Sequence, residues 1–162
     1  MKFTIKKVDT RDQAIQSLLL FLQKKILPSD SPYKPDRGHW WIAYTEDGKP
    51  VAFAGLVRSQ KWNDTGYLCR AGVLYEYTGH GLQKRLILAR IKQARKLGWN
   101  WLITDTTNNP ASANSLINAG FKIYRPGQPW SFRNAIYWKY KVNADAIQRS
   151  ERKKSVSQAK QP

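Results

Sequence analysis

Apolar residues recur along the chain with two periods, and the switches between them mark out the elements. Phe3 to Val8 alternates as a first strand does; Ala14, Leu18, Phe21, Leu22 and Ile26 then recur at helical spacing. Thr10, with Gln13 at the third residue beyond it, predicts a capping box at the start of that helix, and Pro28 stops it. Residues 28–38 contain three prolines and a glycine, which predicts a surface loop. His39 to Thr45 and Val51 to Val57 are aromatic and β-branched runs on either side of Glu46-Asp-Gly-Lys49, the signature of an antiparallel hairpin.

Tyr67 to Tyr75 reads as another strand, with Tyr67, Cys69, Ala71, Val73 and Tyr75 on one face, and it runs directly into Thr78-Gly-His-Gly81. Leu82, Leu86, Ala89, Ile91, Ala94 and Leu97 form a helical stripe that Gly98 ends. Trp99 to Thr104 reads as a short buried strand, Asn108-Asn-Pro110 as a turn and Ala111 to Ala119 as a short helix closed by Gly120. Phe121 to Tyr124 and Ala135 to Val142 complete the pattern as two strands joined by a Pro/Gly loop. From Asn143 onward Ser, Gln, Lys and Arg dominate, so the expected organisation is one domain over residues 1–142 and a basic, flexible tail over 143–162 with net charge +3. There are no internal repeats.

Composition sharpens this picture in two ways. The chain has 162 residues with a net charge of +17, yet 41% of it is hydrophobic and 12% aromatic, too apolar for a disordered polycation. The charge is uneven: residues 1–76 carry +4 and the remainder +13. Between Tyr77 and Thr104 stand Lys84, Arg85, Arg90, Lys92, Arg95 and Lys96 and no acid, with most of the cations expected on the outer face of the helix. Such a surface attracts anions at long range, whether a cofactor, an acidic protein or nucleic acid, although a solvated helix face has the same look. The single cysteine, Cys69, excludes an internal disulfide, a zinc cluster and a CxxC redox pair, and implies a reducing, cytoplasmic setting. The apolar run from Ser17 to Leu22 is far too short for a bilayer span, so no membrane partner is expected.

The candidate chemistry lies where the strand ending at Val73 and Leu74 meets Thr78-Gly-His-Gly-Leu-Gln83. A glycine-bearing turn that opens a long helix bares amide N–H groups, and the helix dipole adds about half a positive charge there, the makings of a phosphate site. The spacing of Gly79 and Gly81 fits neither a Walker A loop nor a dinucleotide fingerprint, which needs a glycine where Lys84 stands. A second segment places Asn109, Ser112, Gly120 and Phe121 at fixed offsets. Together the two segments resemble the GCN5-related N-acetyltransferase (GNAT) superfamily.

That resemblance covers residues 1–142 and implies an α/β (α+β) fold. Its mixed, mostly antiparallel sheet would have six or seven strands, with splayed central parallel strands flanked by helices. It implies acetyl-CoA as co-substrate and direct transfer to an amine. Val73 and Leu74 would offer backbone groups to the pantetheine arm; N–H groups of Thr78, Gly79, His80, Gly81, Leu82 and Gln83 would hold the pyrophosphate; Asn109 and Ser112 would line the opposite side. Thr78 stands where the family usually has Arg or Gln, and Gln83 where it has Gly or Ala, changes that weaken backbone-mediated binding more readily than they abolish it. Leu116 stands where many relatives carry the tyrosine that protonates the leaving thiolate.

Transfer to an amine needs a base, a polarised carbonyl and a stabilised thiolate, but no covalent nucleophile. Asp105, at the end of a strand beside the expected acetyl position, is the first choice for the base; Glu76 and Asp64 read as structural. Ser112, Ser115 and Tyr124 are the candidates for the acid, with solvent as the alternative. Cys69 reads as a small buried strand residue, His39 as structural, and Trp40, Trp41, Trp99, Trp101 and Trp138 as core. Trp130 either anchors its loop or stacks on an acceptor. The amine acceptor stays open, as does the choice of monomer or homodimer. Two other readings also stay open: a basic nucleic-acid-binding or protein-interaction scaffold with weak activity, and a binding protein for another phosphorylated ligand.

Overall fold

β-branched and aromatic segments line up as the strands of a single mixed sheet in the computed structural model, which describes residues 1–142. The elements in chain order are β1 (Phe3–Val8), α1 (Gln13–Ile26), β2 (His39–Thr45), β3 (Pro50–Arg58), β4 (Thr65–Tyr67), β5 (Ala71–Val73), α2 (Leu82–Lys96), β6 (Trp101–Thr106), α3 (Pro110–Ala119), β7 (Lys122–Tyr124) and β8 (Ile136–Lys141), with a 3-10 turn at Tyr75–Tyr77. The sheet has eight strands in the order β1-β2-β3-β4-β6-β8-β7, and β5 pairs with β3. Among the described residues only β4 and β6 run parallel; the other pairings are antiparallel. The tail expected over residues 143–162 lies outside the described residues.

The eighth strand comes from a break in what the sequence presents as one run from Tyr67 to Tyr75. β4 pairs with β6 up to Tyr67 and Ile103, and the Leu68 amide still donates to the Ile103 carbonyl at 3.0 Å. Beyond it the chain keeps only β3: the Arg70 carbonyl accepts from the Gly55 amide at 2.7 Å, and Ala71 to Val73 pair with Ala54 to Ala52. The parallel strands therefore part after Leu68, leaving a V-shaped opening between β5 and the end of β6. Tyr75, assigned to the strand by alternation, lies in the 3-10 turn and is exposed.

Each face of the sheet has its own apolar core. On one, α2 and α3 cover Leu102, Phe121 and Trp138; on the other, α1 brings Leu19 and Leu22 against Trp40, Ile42 and Phe53. Each fully buried leucine contributes about 1.5–3 kcal/mol. Helix α1 is capped by Asp12, whose carboxylate accepts from the Ala14 amide at 2.8 Å, and not by the box expected at Thr10 and Gln13; Gln16 reaches back instead to the Thr10 carbonyl. Phe21, placed on the buried stripe by spacing, is exposed beneath Lys25, while Leu19 takes the core position. The buried stripe of α2 likewise includes Ile87 and Arg90 in place of Ala89 and Leu97. Trp40, Trp41, Trp99 and Trp138 are buried as expected; Trp101 is only partly buried, with the Lys139 and Lys141 ammonium groups 5.4 and 5.9 Å from its ring centre.

Candidate active site

The opening between β5 and β6 is walled on one side by main chain. Gly79 and Gly81 have φ of 82° and 73°, the left-handed region that glycine enters without strain, and Gly81 is the N-cap of α2. A Cβ at either position would meet no atom within 4 Å, so conformation rather than crowding calls for glycine and the space above the loop is open. The Thr78 amide is engaged by the Tyr75 carbonyl at 3.2 Å, as is its hydroxyl at 2.8 Å. Among the described residues, the amides of Gly79, His80, Gly81, Leu82, Gln83 and Lys84 have no hydrogen-bond partner. Six bare donors at a helix start, with no acid in the first turn, can hold a diphosphate. Thr78, Gly79, Gly81, Leu82, Gln83 and Val73 line a cavity of about 420 Å³.

His80 is absent from that lining; its ring lies 5.3 Å from Phe3 of β1, leaving its amide as its means of contact with a phosphate. Leu74 turns into the core, with its amide donating to the Val51 carbonyl at 2.8 Å. Facing the loop, Asn109 caps α3 by accepting from the Ser112 amide at 3.0 Å, and Pro110 occupies the first turn. This cap sets Asn109 and Ser112 against both the 420 Å³ cavity and an adjoining one of about 380 Å³. The Ser112 hydroxyl has no hydrogen-bond partner among the described residues, whereas Ser115 donates to the Ala111 carbonyl at 2.9 Å.

The second cavity is walled by side chains. Asp105 lines it from β6; one carboxylate oxygen accepts from the Tyr67 phenol at 2.9 Å and the other from the Ser131 hydroxyl at 2.5 Å. Burial, then the Asp105 charge and the hydrogen bond to it, raise the Tyr67 pKa well above the ordinary phenol value, so Tyr67 remains a donor. Leu68, Cys69, Thr104, Leu116 and Phe132 complete much of the lining, and the Thr104 hydroxyl donates to the Leu68 carbonyl at 2.9 Å where the strands part. Burial pushes the Cys69 thiol up to about 11, so it is a protonated, inert wall.

Asp105 and Ser112 thus share one cavity. Tyr124 lines neither; it sits among Trp62, Trp130 and Tyr137, with its hydroxyl buried and unpartnered. Burial first, then Tyr137 and Asp105, push it up to about 12. Trp130 packs 4.5 Å from Tyr137 and fixes its loop on the sheet. Asp64 is the turn residue its neighbours suggested, with φ of 50° and its carbonyl accepting from Asn100. Burial, then Lys7, lower the His39 pKa, as suits a structural residue. Sequence spacing did not single out Tyr67, Arg70 or Arg90 for the cavity, or Ser131 as a partner of Asp105; for Arg90 a signal existed, since it falls on the helical line of Leu86 and Ile87.

Among the described residues no group of His, Cys, Asp and Glu is placed to hold a metal, and no helix is long and apolar enough to cross a membrane. The acetyltransferase (GNAT) family model matches residues 13–121. No curated protein is close enough in sequence to match. Similar solved structures include a Bacillus subtilis acetyltransferase in complex with CoA (18% identity, 86% of this chain and 99% of that one, TM-score 0.65). A putative acetyltransferase from Salmonella typhimurium with its cofactor acetyl-CoA is 17% identical over 88% of this chain and 95% of its own, with a TM-score of 0.65. The ribosomal-protein-S18-alanine N-acetyltransferase from Escherichia coli is 21% identical over 87% and 94%, with a TM-score of 0.62.

Proposed function

We propose a function from one premise: the chain belongs to the acetyltransferase (GNAT) family, whose chemistry is acetyl-CoA-dependent acetyl transfer. Our reading is that it acetylates an amine by direct transfer in a ternary complex, in the cytoplasm. The observation that carries this is the row of unpartnered amides from Gly79 to Lys84 above open space, and the CoA and acetyl-CoA held by two structurally similar proteins support it. In this proposal those amides hold the pyrophosphate. The edge of β5, left without a strand neighbour where β6 departs, meets the pantetheine arm on one side, and Asn109 and Ser112 meet it on the other. Acetyl-CoA supplies the activated acyl group.

Asp105 takes a proton from the acceptor amine, directly or through one water, and Tyr67 and Ser131 hold its carboxylate in place. The Ser112 hydroxyl, without a hydrogen-bond partner among the described residues, donates to the departing sulfur in place of the tyrosine absent at Leu116. Titration calorimetry tests the reading: wild type binds acetyl-CoA, Gly81→Asp binds it about 100-fold more weakly, and Asp105→Asn still binds but transfers slowly. Binding unaffected by Gly81→Asp would refute the pyrophosphate assignment.

A macromolecular acceptor, on a protein or an RNA-associated substrate, fits the net charge of +17. One observation favours the second reading, a nucleic-acid-binding module: Lys139 and Lys141 lie over the Trp101 ring, and Lys139 also over that of Tyr124. RNA affinity falling steeply with salt, with no acetyl transfer to any amine, would favour it.

A further inference from the structure

Arg90 is the cation of α2 that the charge pattern sends to solvent and the fold buries. It is 3% exposed. Its Nε donates to the Leu86 carbonyl at 3.1 Å and its Nη1 to the Gly55 carbonyl at 3.5 Å, while Nη2 has no hydrogen-bond partner among the described residues. No carboxylate pairs with it; the one ion pair among the described residues joins Asp9 and Arg11. Arg90 nevertheless lines the 380 Å³ cavity that holds Asp105 and Ser112.

Arg70, between β4 and β5, lines the same cavity. Its Nη1 and Nη2 donate to the Cys69 and Ser31 carbonyls at 3.2 and 3.4 Å, and its Nε is buried without a partner. Two guanidinium groups with unused donors thus converge on one space, each bonded only to neutral carbonyls. Among the described residues Asp105 forms no ion pair with either arginine, and Asp30, also in the lining, is exposed and pairs with neither. An uncompensated buried cation is costly to the fold, and a ligand anion relieves that cost. The planar guanidinium fork matches the two oxygens of a carboxylate.

The position along the cleft narrows the ligand further. From Leu82 to Arg90 the helix axis advances about 12 Å away from the glycine loop. The chain followed back from Val73 through β5 to Cys69 leaves the same loop, and the Cys69 sulfur and the Arg90 guanidinium both lie against Gly55. The arginines therefore lie at the far end of the cleft from the diphosphate loop, where acyl group and amine meet. We propose that Arg90 and Arg70 form a carboxylate-binding site on the floor of the transfer cavity, for a carboxylate borne by the acyl chain of the CoA thioester or by the amine acceptor. This rests on the CoA-dependent reading above.

The test titrates acetyl-CoA, succinyl-CoA and free succinate into wild type, Arg90→Gln and Arg70→Gln, by calorimetry and by melting temperature. Failure of wild type to bind acetyl-CoA would defeat the CoA reading whatever the arginines do. Free succinate, added with CoA, raises the melting temperature of wild type and not of Arg90→Gln. If the acyl chain bears the carboxylate, wild type binds succinyl-CoA at least about tenfold more tightly than acetyl-CoA, a preference both variants lose. If the acceptor bears it, the thioesters bind alike, and CoA release is faster with amino acids than with their α-amides in wild type only. No succinate response, equal thioester affinities and equal rates with acids and amides would overturn the proposal. Should Arg90→Gln fail to fold, Arg70→Gln at its partly exposed position carries the same comparisons.

Discussion

The two walls of the cleft are made of different material. At the start of α2 the wall is main chain: six amides without partners among the described residues, presented by two glycines in left-handed conformation. At the end of β6 it is side chain: a carboxylate gripped by a phenol 38 residues away and a hydroxyl 26 residues away. A backbone wall tolerates exchange of its side chains, so Thr78 and Gln83 can depart from the family pattern without removing a donor. A side-chain wall has no such tolerance, because each atom is supplied once. The proposed division of labour follows: the first wall binds and the second reacts.

The largest expected effect comes from breaking the reactive wall alone. Asp105→Asn keeps the shape and both neighbours but removes the base, and kcat should fall about 100- to 10,000-fold, the range for general-base loss. Acetyl-CoA affinity, set by the other wall, should stay within about twofold. Steady-state kinetics beside calorimetry reads both. An equal loss in affinity and rate would show that the walls are not separable, and an unchanged rate would retire Asp105.

Breaking the binding wall alone should do the reverse. Gly81→Asp forces a side chain into a left-handed conformation, at about 1–2 kcal/mol, and sets a negative charge beside the proposed diphosphate. Acetyl-CoA affinity should fall about 100-fold, and the protein should melt a few degrees lower, roughly the shift expected of about 1 kcal/mol.

The contrast also explains how much of the molecule could be read from the chain. The glycine loop and the turn at Asn108-Asn-Pro110 were legible because their chemistry is local: φ values and turn geometry span three or four residues, and glycine, proline and asparagine announce them. The strands and helices were legible from apolar periodicity for the same reason. The parting of β4 from β6 was not, since Tyr67 to Tyr75 alternates without interruption and only pairing with Gly55 and Ile103 reveals the break. The grip on Asp105 was invisible because Tyr67 and Ser131 reach it through the sheet. Arg90 was misplaced because charge was taken as a sign of exposure, although its spacing from Leu86 put it on the buried line.

A subtler change sharpens the reactive wall. Tyr67→Phe removes one donor from Asp105 while leaving the ring, which should lower kcat about tenfold and stability by about 1–3 kcal/mol. The pH behaviour has a definite sign. The folded-state pKa of Tyr67 is raised, so its contribution is fully present below the ordinary phenol value and is lost only as pH rises through the raised one. The stability gap between wild type and Tyr67→Phe should therefore be constant from about pH 6 to 9 in urea denaturation. A gap that opens only at acid pH would mean that Tyr67 acts through some other group.

The smallest effect is expected at the residue that sequence order made a candidate acid. Tyr124 lies beyond the cavity wall, packed between Trp62, Trp130 and Tyr137, and its hydroxyl is shielded yet has no hydrogen-bond partner among the described residues. An acid for the leaving thiolate must touch the sulfur, whereas this oxygen lines neither cavity. Tyr124→Phe should change kcat by less than about threefold. Because it deletes a buried polar atom that has no partner, it should leave stability unchanged or raise it by up to about 1 kcal/mol. Chemical denaturation and turnover on the same preparation decide the matter: a rate loss with unchanged stability would extend the reactive wall to Tyr124, and a stability loss would mean that the hydroxyl finds a partner when the cleft is filled.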